Sequence, residues 1–411
     1  DQFQYAVSQH WLRIIISNTM DFSLSSSLVG SAVISNNTIR SVATRTFWAQ
    51  GTGHSNGTTD LSETSRITYY ANENIVGMQV LYSNICSAVS PLSTNAISIK
   101  ASVEYAGVLY PIYFNNVRTR SAAQLENVFS DKVSGLSITK GSTFYIRTYV
   151  SVSATQKWPR NFRYMASTEG VAVASDYTDV LTSCPTVSQM FGPTGVFGKK
   201  TGLGRTIAIN GDSISMGFGV TSNGVGPFVA AFDGTATGTT YGKNVAHMQL
   251  GLVGEKASEF NNATNRGLRD FLLNYATHSI YEYGINDVRG GSVTLASMQS
   301  TALANWQILV NKKIKVWACT LTPNTTSTDS WATTTNQTYA NATGNTVRIQ
   351  YNNWLRSLPS TLLTGIIETA DTCESSRNSG LWKVGYTSDG LHPNAAGFAA
   401  YKAVVDPNIF T

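Results

Sequence analysis

The chain has 411 residues, a net charge of +5 and only 13% charged residues, against the roughly 25% of an average soluble protein. With 42% hydrophobic residues and a mean hydropathy of −0.08 it can bury real cores, which excludes a disordered or acidic-tail protein, and at this length two domains are expected. No run of Lys and Arg is dense enough to track phosphates, excluding nucleic acid, and no apolar stretch reaches the ~18 residues of a membrane span, since Arg13 interrupts the segment Trp11 to Ile16.

The chain starts at Asp1 with neither an initiator Met nor a signal peptide, as a processed or trimmed chain does. Ser, Thr, Asn and Gly replace charge on the surface, a composition common in secreted and surface-displayed proteins. The sequons at Asn36, Asn56, Asn262, Asn324, Asn336 and Asn341 follow from that richness and are weak evidence of glycosylation.

In chain order, the first half alternates apolar and polar residues in short runs rich in Val, Ile, Tyr and Thr: Arg66 to Tyr70, Val76 to Tyr82, Ala96 to Tyr105, Gly107 to Asn115 and Ser142 to Val152. These predict half-buried strands and a jelly-roll-like β-sandwich over 1–190. Its aromatic residues, among them Trp48, Tyr69, Tyr110 and Trp158, fit core packing better than a sugar-stacking face. His54 falls in a solvated loop. Four cysteines allow three pairings, of which Cys86–Cys184 lies within the first half, and Cys319, inside an apolar run, reads as a buried small hydrophobe.

Pro185, Gly192, Pro193, Gly195 and Gly198 then break the pattern, placing a linker at 191–203. Beyond it, strands predicted at Arg205 to Asn210, Ser279 to Tyr283, Lys315 to Leu321 and Gly365 to Thr369 alternate with helices predicted at Asn265 to Tyr275, Val293 to Val310 and Val347 to Leu358. Alternation of this kind implies a parallel sheet covered on both faces, whose function gathers at the carboxyl ends of the strands.

Three segments stand at those ends. Gly211-Asp212-Ser213 follows the first strand, Gly284-Ile285-Asn286-Asp287 follows the second, and Asp389-Gly390-Leu391-His392 precedes a helix expected near Asn394. In this order they resemble the blocks of the SGNH (GDSL-type) hydrolase family over 204–411. The resemblance implies a three-layer α/β/α domain with a flavodoxin-like parallel sheet. Chemistry points the same way: a serine hydroxyl needs a base within hydrogen-bond reach, and the base needs an orienting carboxylate, roles that Ser213, His392 and Asp389 can fill. The family pattern further implies an oxyanion hole built from the Ser213 N–H, a glycine N–H and the Asn286 amide. The glycine maps to Gly254 rather than Gly251, although Gln249 stands where the family carries Asn. Taken singly, Ser213 could merely cap a helix and Asp212 shape a turn; Asp212 and Asp287 are read as structural, as are His247 and His278, and Glu282 lies in a strand with its direction open.

No metal motif, P-loop or dinucleotide fingerprint occurs, so cofactor-free chemistry is expected. The family pattern gives ester hydrolysis without naming the ester. The added β-sandwich, the uncharged polar surface and the Ser/Thr/Asn loop Thr322 to Asn345, with Trp331 and Tyr339 as substrate-binding residues, point to O-acetyl esters on a polysaccharide or oligosaccharide, outside the cell or displayed on a surface such as a virion. A short-chain lipid or aryl esterase and a catalytically silent glycan-binding adhesin are the alternatives.

Overall fold

The computed structural model describes residues 39–44, 61–85, 95–160, 168–186, 190–199, 205–220, 225–232 and 245–410, and the backbone alone at 49–50, 54–56 and 86–87. Expectations placed on 1–38, on Trp48 and on the His54 side chain lie outside the described residues. Residues 34–411 make one compact unit.

The first half is β and almost wholly antiparallel, the short pair Ala49–Gln50 and Cys86–Ser87 being parallel. The expected strands occur at Ser62–Ala71, Ile97–Tyr105, Val108–Ile112 and Thr143–Ser151. The run Val76 to Tyr82 is divided into Ile75–Val76 and Gln79–Ser83 by Gly77, whose φ of 64° turns the chain. A 10-stranded sheet holds most of them. At its centre Ile146 faces Ile67 on one neighbour and Val103 on the other, all fully buried. Trp158 and Tyr69 are core residues, as expected.

The reading of 191–203 as a linker needs correction. Gly195–Lys199 is a strand paired between Ile39–Thr44 and Gln79–Ser83. Its glycines serve close approach rather than turning: a Cβ on Gly195 would come 2.8 Å from the Phe197 ring, and one on Gly198 would come 3.2 Å from Val42. Nor does Cys184 form a bridge. Cys184, Cys319 and Cys373 are buried free thiols, and burial pushes the thiol of Cys373 up to about 12.

The second half is the doubly wound sheet. Its strands are β1 (Thr206–Gly211), β2 (Ala246–Gln249), β3 (His278–Glu282), β4 (Lys315–Cys319) and β5 (Gly365–Ile367), all parallel in the order β2-β1-β3-β4-β5. That order reverses direction at β1 and β3, where doubly wound sheets open a crevice for ligands. Every residue of β1 is buried, as a strand covered on both faces requires.

The helices are α1 (Pro227–Ala231), α2 (Ala257–Asn261), α3 (Ala263–Leu273), α4 (Ile285–Arg289), α5 (Leu295–Asn311), α6 (Ala342–Arg356), α7 (Thr369–Cys373) and α8 (Ala395–Ala403). They sort into two contacting sets, α2 to α6 and α1, α7 and α8. Capping explains where the long ones begin: Thr294 accepts from the Ser297 N–H, Asn341 from Gly344 and Asn394 from Ala396 and Gly397. On α5 the buried positions Met298, Ala302, Asn305, Trp306 and Leu309 follow the helical repeat. Trp306 stacks on Trp354 of α6 with ring centroids 5.4 Å apart, and its truncation to Ala would cost about 3–5 kcal/mol. Among the described residues no helix is long and apolar enough to cross a membrane.

Candidate active site

The turn that carries Ser213 leaves β1 at Gly211, where a Cβ would stand 2.7 Å from Ser215 Oγ and 2.8 Å from the Glu282 carbonyl, so only glycine lets the turn fold back on the sheet. Asp212 closes it by accepting the Ile214 N–H at Oδ1 (2.9 Å). The turn holds Ser213, 5% exposed, with its hydroxyl 2.9 Å from His392 Nε2. The other ring nitrogen lies 2.6 Å from Asp389 Oδ2; facing a carboxylate, it carries the proton, which leaves Nε2 as the acceptor for the serine.

Asp389 also accepts the backbone N–H groups of Leu391 (2.9 Å) and His392 (2.8 Å). Burial alone would raise its pKa, but the His392 side chain and these N–H donors outweigh that and hold it below the usual carboxylate range. The loop itself is gripped at Gly390, which adopts φ 76°. Its carbonyl accepts from the Thr325 N–H (2.8 Å) and from Trp382 Nε1 (2.9 Å). Phe218, half exposed, packs on the imidazole with ring centroids 4.6 Å apart.

The expected oxyanion donors divide into two kinds. The N–H groups of Ser213 and Gly254 have no hydrogen-bond partner among the described residues, and Gly254 sits exposed at φ 80°. The Asn286 amide is already engaged: Nδ2 donates to Asp212 Oδ2 (3.0 Å) and to the Glu255 carbonyl (3.1 Å). Asn286 therefore bridges the residue before Ser213 and the residue after Gly254, bringing the three donor-bearing segments together. Gln249 adds a second bridge, donating to the Ser215 carbonyl (2.8 Å) and accepting the Gly251 N–H (3.1 Å). Gly251 is the tightly packed glycine, with a Cβ position 2.6 Å from Ser215 Oγ.

Beneath this lies a buried network that sequence reasoning missed. Glu255 and Arg269, both fully buried, form an ion pair that Tyr283 completes by donating its hydroxyl to Glu255 Oε2 (2.7 Å). Asp212 and Glu282 are 0% and 2% exposed and hydrogen-bond each other. Burial raises the pKa of both, and the mutual repulsion of the pair adds to it for Glu282, so the two share a proton near neutrality. The direction left open for Glu282 is thus inward. Asp287 accepts the Ala257 N–H at the start of α2 (2.9 Å), a structural role as read. His247 and His278 are buried away from these groups, bonded to the Val245 carbonyl and the Thr277 hydroxyl. No single signal in the sequence pairs Glu255 with Arg269; only the fold does.

The two aromatic residues expected on the rim part ways. Trp331 lies against the loop that carries Asp389 and His392, its ring 2.7 Å from a Cβ position on Gly390 and its Nε1 bonded to Thr325 Oγ1 (2.9 Å). Tyr339 instead donates to the Ser379 carbonyl (3.0 Å) and makes no hydrogen bond or ring contact with Ser213, Asp389 or His392. Among the described residues no group of three or more His, Cys, Asp or Glu is placed to hold a metal ion.

About half of the chain resembles solved GDSL-type and carbohydrate esterase structures. A GDSL-like lipase from Bacteroides thetaiotaomicron VPI-5482 is 15% identical, covering 49% of this chain and 85% of its own, with TM-score 0.34. A carbohydrate esterase family 3 protein from Talaromyces cellulolyticus is 16% identical, covering 50% and 96%, with TM-score 0.35. A lipase from a goat rumen metagenome is 15% identical, covering 49% and 95%, with TM-score 0.35. No family model and no curated protein matches the chain. The functional reading therefore rests on the geometry of the site.

Proposed function

We propose that the protein is a serine esterase that removes short acyl groups, O-acetyl above all, from a polysaccharide or oligosaccharide. One observation carries this: Ser213, His392 and Asp389 form a continuous hydrogen-bonded relay at 2.9 and 2.6 Å. In this reading His392 Nε2 takes the Ser213 proton as Oγ attacks the ester carbonyl. The N–H groups of Ser213 and Gly254 then meet the oxyanion, with Asn286 turning one amide proton toward it. Each such donor supplies about 3–4 kcal/mol to the transition state. The imidazolium gives its proton to the departing sugar oxygen, which leaves as a hydroxyl, and the acyl-enzyme is then attacked by water activated by the same imidazole, releasing acetate and restoring the serine.

The setting favours a glycan. The β half is proposed to be a jelly-roll-like sandwich that docks or orients the polymer, with Trp331 beside the acid–base loop as a contact for sugar and the whole working outside the cell or on a displayed surface. Tyr339, tied to the 376–380 loop, is a weaker contact. The test is acetate release from a panel of acetylated polysaccharides, with Ser213→Ala as the blank. A fall of about 10⁴-fold or more is expected for the variant. A clear preference for octanoyl over acetyl esters would turn the assignment to a lipid esterase, and glycan binding with no hydrolysis by the intact protein would leave an adhesin.

A further inference from the structure

A second polar group lies one side chain beyond Asn286. Arg289, on the same helix α4, donates to Asn286 Oδ1 at 3.3 Å and is exposed. Arg266, Arg269, Arg348, Arg356 and Arg377 in this half each have a carboxylate partner. Arg289 has none among the described residues.

Beside it a small cleft of about 10 Å³, open on one side, lies between α4 and α6, lined by Arg289, Asn324, Asn341 and Asn345. Two glycines build it. A Cβ on Gly344 would strike the Val288 carbonyl, and one on Gly291 would strike the Asn341 amide, so the start of α6 seats directly on α4. The orientation of two amides is fixed by chemistry. Asn341 must turn its oxygen to the Gly344 N–H (2.8 Å) and Asn345, 8% exposed, must turn its oxygen to Arg348 Nε (3.0 Å), because both partners can only donate. Their NH₂ groups are left without acceptors, and the Asn324 amide also has no partner among the described residues. Arg348 is itself committed to Glu374 (2.5 Å) and the Leu321 carbonyl (2.7 Å). What remains in the cleft is a guanidinium with no carboxylate partner, two amide NH₂ groups and the Asn324 amide, a set with more donors than acceptors.

An acceptor-only anion satisfies such a set, and a carboxylate suits the planar guanidinium. We propose that this cleft is a subsite for the carboxylate of an acidic sugar in the acylated glycan, with Arg289 as the ion-pair partner and the asparagine amides setting its orientation. The assignment rests on the esterase reading, since Asn286 and Asp212 are the links from the cleft to Ser213. The net charge of +5 favours the approach of a polyanion.

The test compares O-acetylated polygalacturonate with the same polymer carboxyl-reduced and acetylated to the same degree. The intact protein is expected to prefer the acidic polymer about tenfold in kcat/KM, as one charge-assisted contact allows. Arg289→Gln is expected to abolish that preference and Asn324→Leu to reduce it. Equal rates on the two polymers, or a preference that survives Arg289→Gln, would overturn the subsite while leaving the esterase intact. A binding arm separates the two ideas: calorimetric titration of Ser213→Ala protein with a galacturonate trimer should show binding that weakens with salt and disappears when Arg289→Gln is added. Binding without acetate release from either polymer would sink the esterase reading and keep the cleft. No binding of the trimer would sink the cleft.

Discussion

The two sides of the relay are held by opposite means. The nucleophile turn rests on ionisable groups sealed in the core: Asp212 and Glu282 directly, and Glu255 with Arg269 through the carbonyl that Asn286 bonds. The acid–base loop is gripped by neutral donors, namely Thr325, Trp382 and the Thr387 hydroxyl, which donates to the His392 carbonyl at 2.8 Å. Its one carboxylate, Asp389, has a side chain 49% exposed. The difference fits the work each side would perform in the proposed reaction. Ser213 and the N–H donors must stay fixed while charge develops beside them, so buried, fully bonded groups hold them rigid. In the proposed reaction His392 changes charge twice per turnover, and a neutral cradle adds no fixed charge to oppose either state except the carboxylate that orients it.

Breaking the buried ion pair is the most severe test of this contrast. Arg269→Met leaves Glu255 uncompensated and is expected to lower stability by about 3–5 kcal/mol, read by urea denaturation. Removing both charges, in Arg269→Met with Glu255→Leu, should restore most of it. A single variant as stable as the parent would show that the pair does not support the nucleophile side.

On the neutral side, Gly390→Ala forces a Cβ into the Thr325 carbonyl at a residue with φ 76°. Displacing the loop by a fraction of an ångström is expected to lower kcat about 100-fold, with far-UV circular dichroism unchanged. Full activity in this variant would mean the loop is not positioned there.

The smallest effect concerns the shared proton. Asp212 and Glu282 have pKa values raised in the folded state, so the stability they contribute is complete below their unfolded values and is lost as pH rises through the folded ones. Glu282→Gln removes one of the two charges, and its Tm relative to the parent should rise by roughly 1–3 °C between pH 5 and pH 9. A difference that is flat with pH would mean that the pair does not share a proton.

Much of this was legible in the sequence, for reasons that differ by segment. Thr143–Ser151 alternates because Phe144, Ile146 and Val150 share one face, and β1, β3 and β4 read as short apolar runs because both faces are covered. The ends of β1 and β3, and the loop before α8, carried their chemistry in contiguous residues, so Ser213, Asn286, Asp389 and His392 could be named together. The strand Gly195–Lys199 was masked by glycines that serve tight packing against Phe197 and Val42, where glycine usually signals a turn. The Glu255–Arg269 pair spans 14 positions and the Asp212–Glu282 pair joins two strand ends, so neither has a local pattern to read. The loop that carries Trp331 could be read from its composition, but the contact of Trp331 with Gly390 depends on how the Thr325–Ser327 and Gln337–Tyr339 hairpin folds back.

The contact between halves bears on how such a chain can be rearranged. Phe129 and Phe197 of the β half pack edge-on and tilted against Tyr275 at centroid distances of 5.9 and 4.8 Å, and Met216, three residues past Ser213, is buried in the core of the β half. A cut at residue 203 would strand these rings in water and unseat the turn that carries Ser213. The β half is therefore not a detachable module: a recombinant that exchanges it inherits the obligation to rebuild the floor under its own nucleophile.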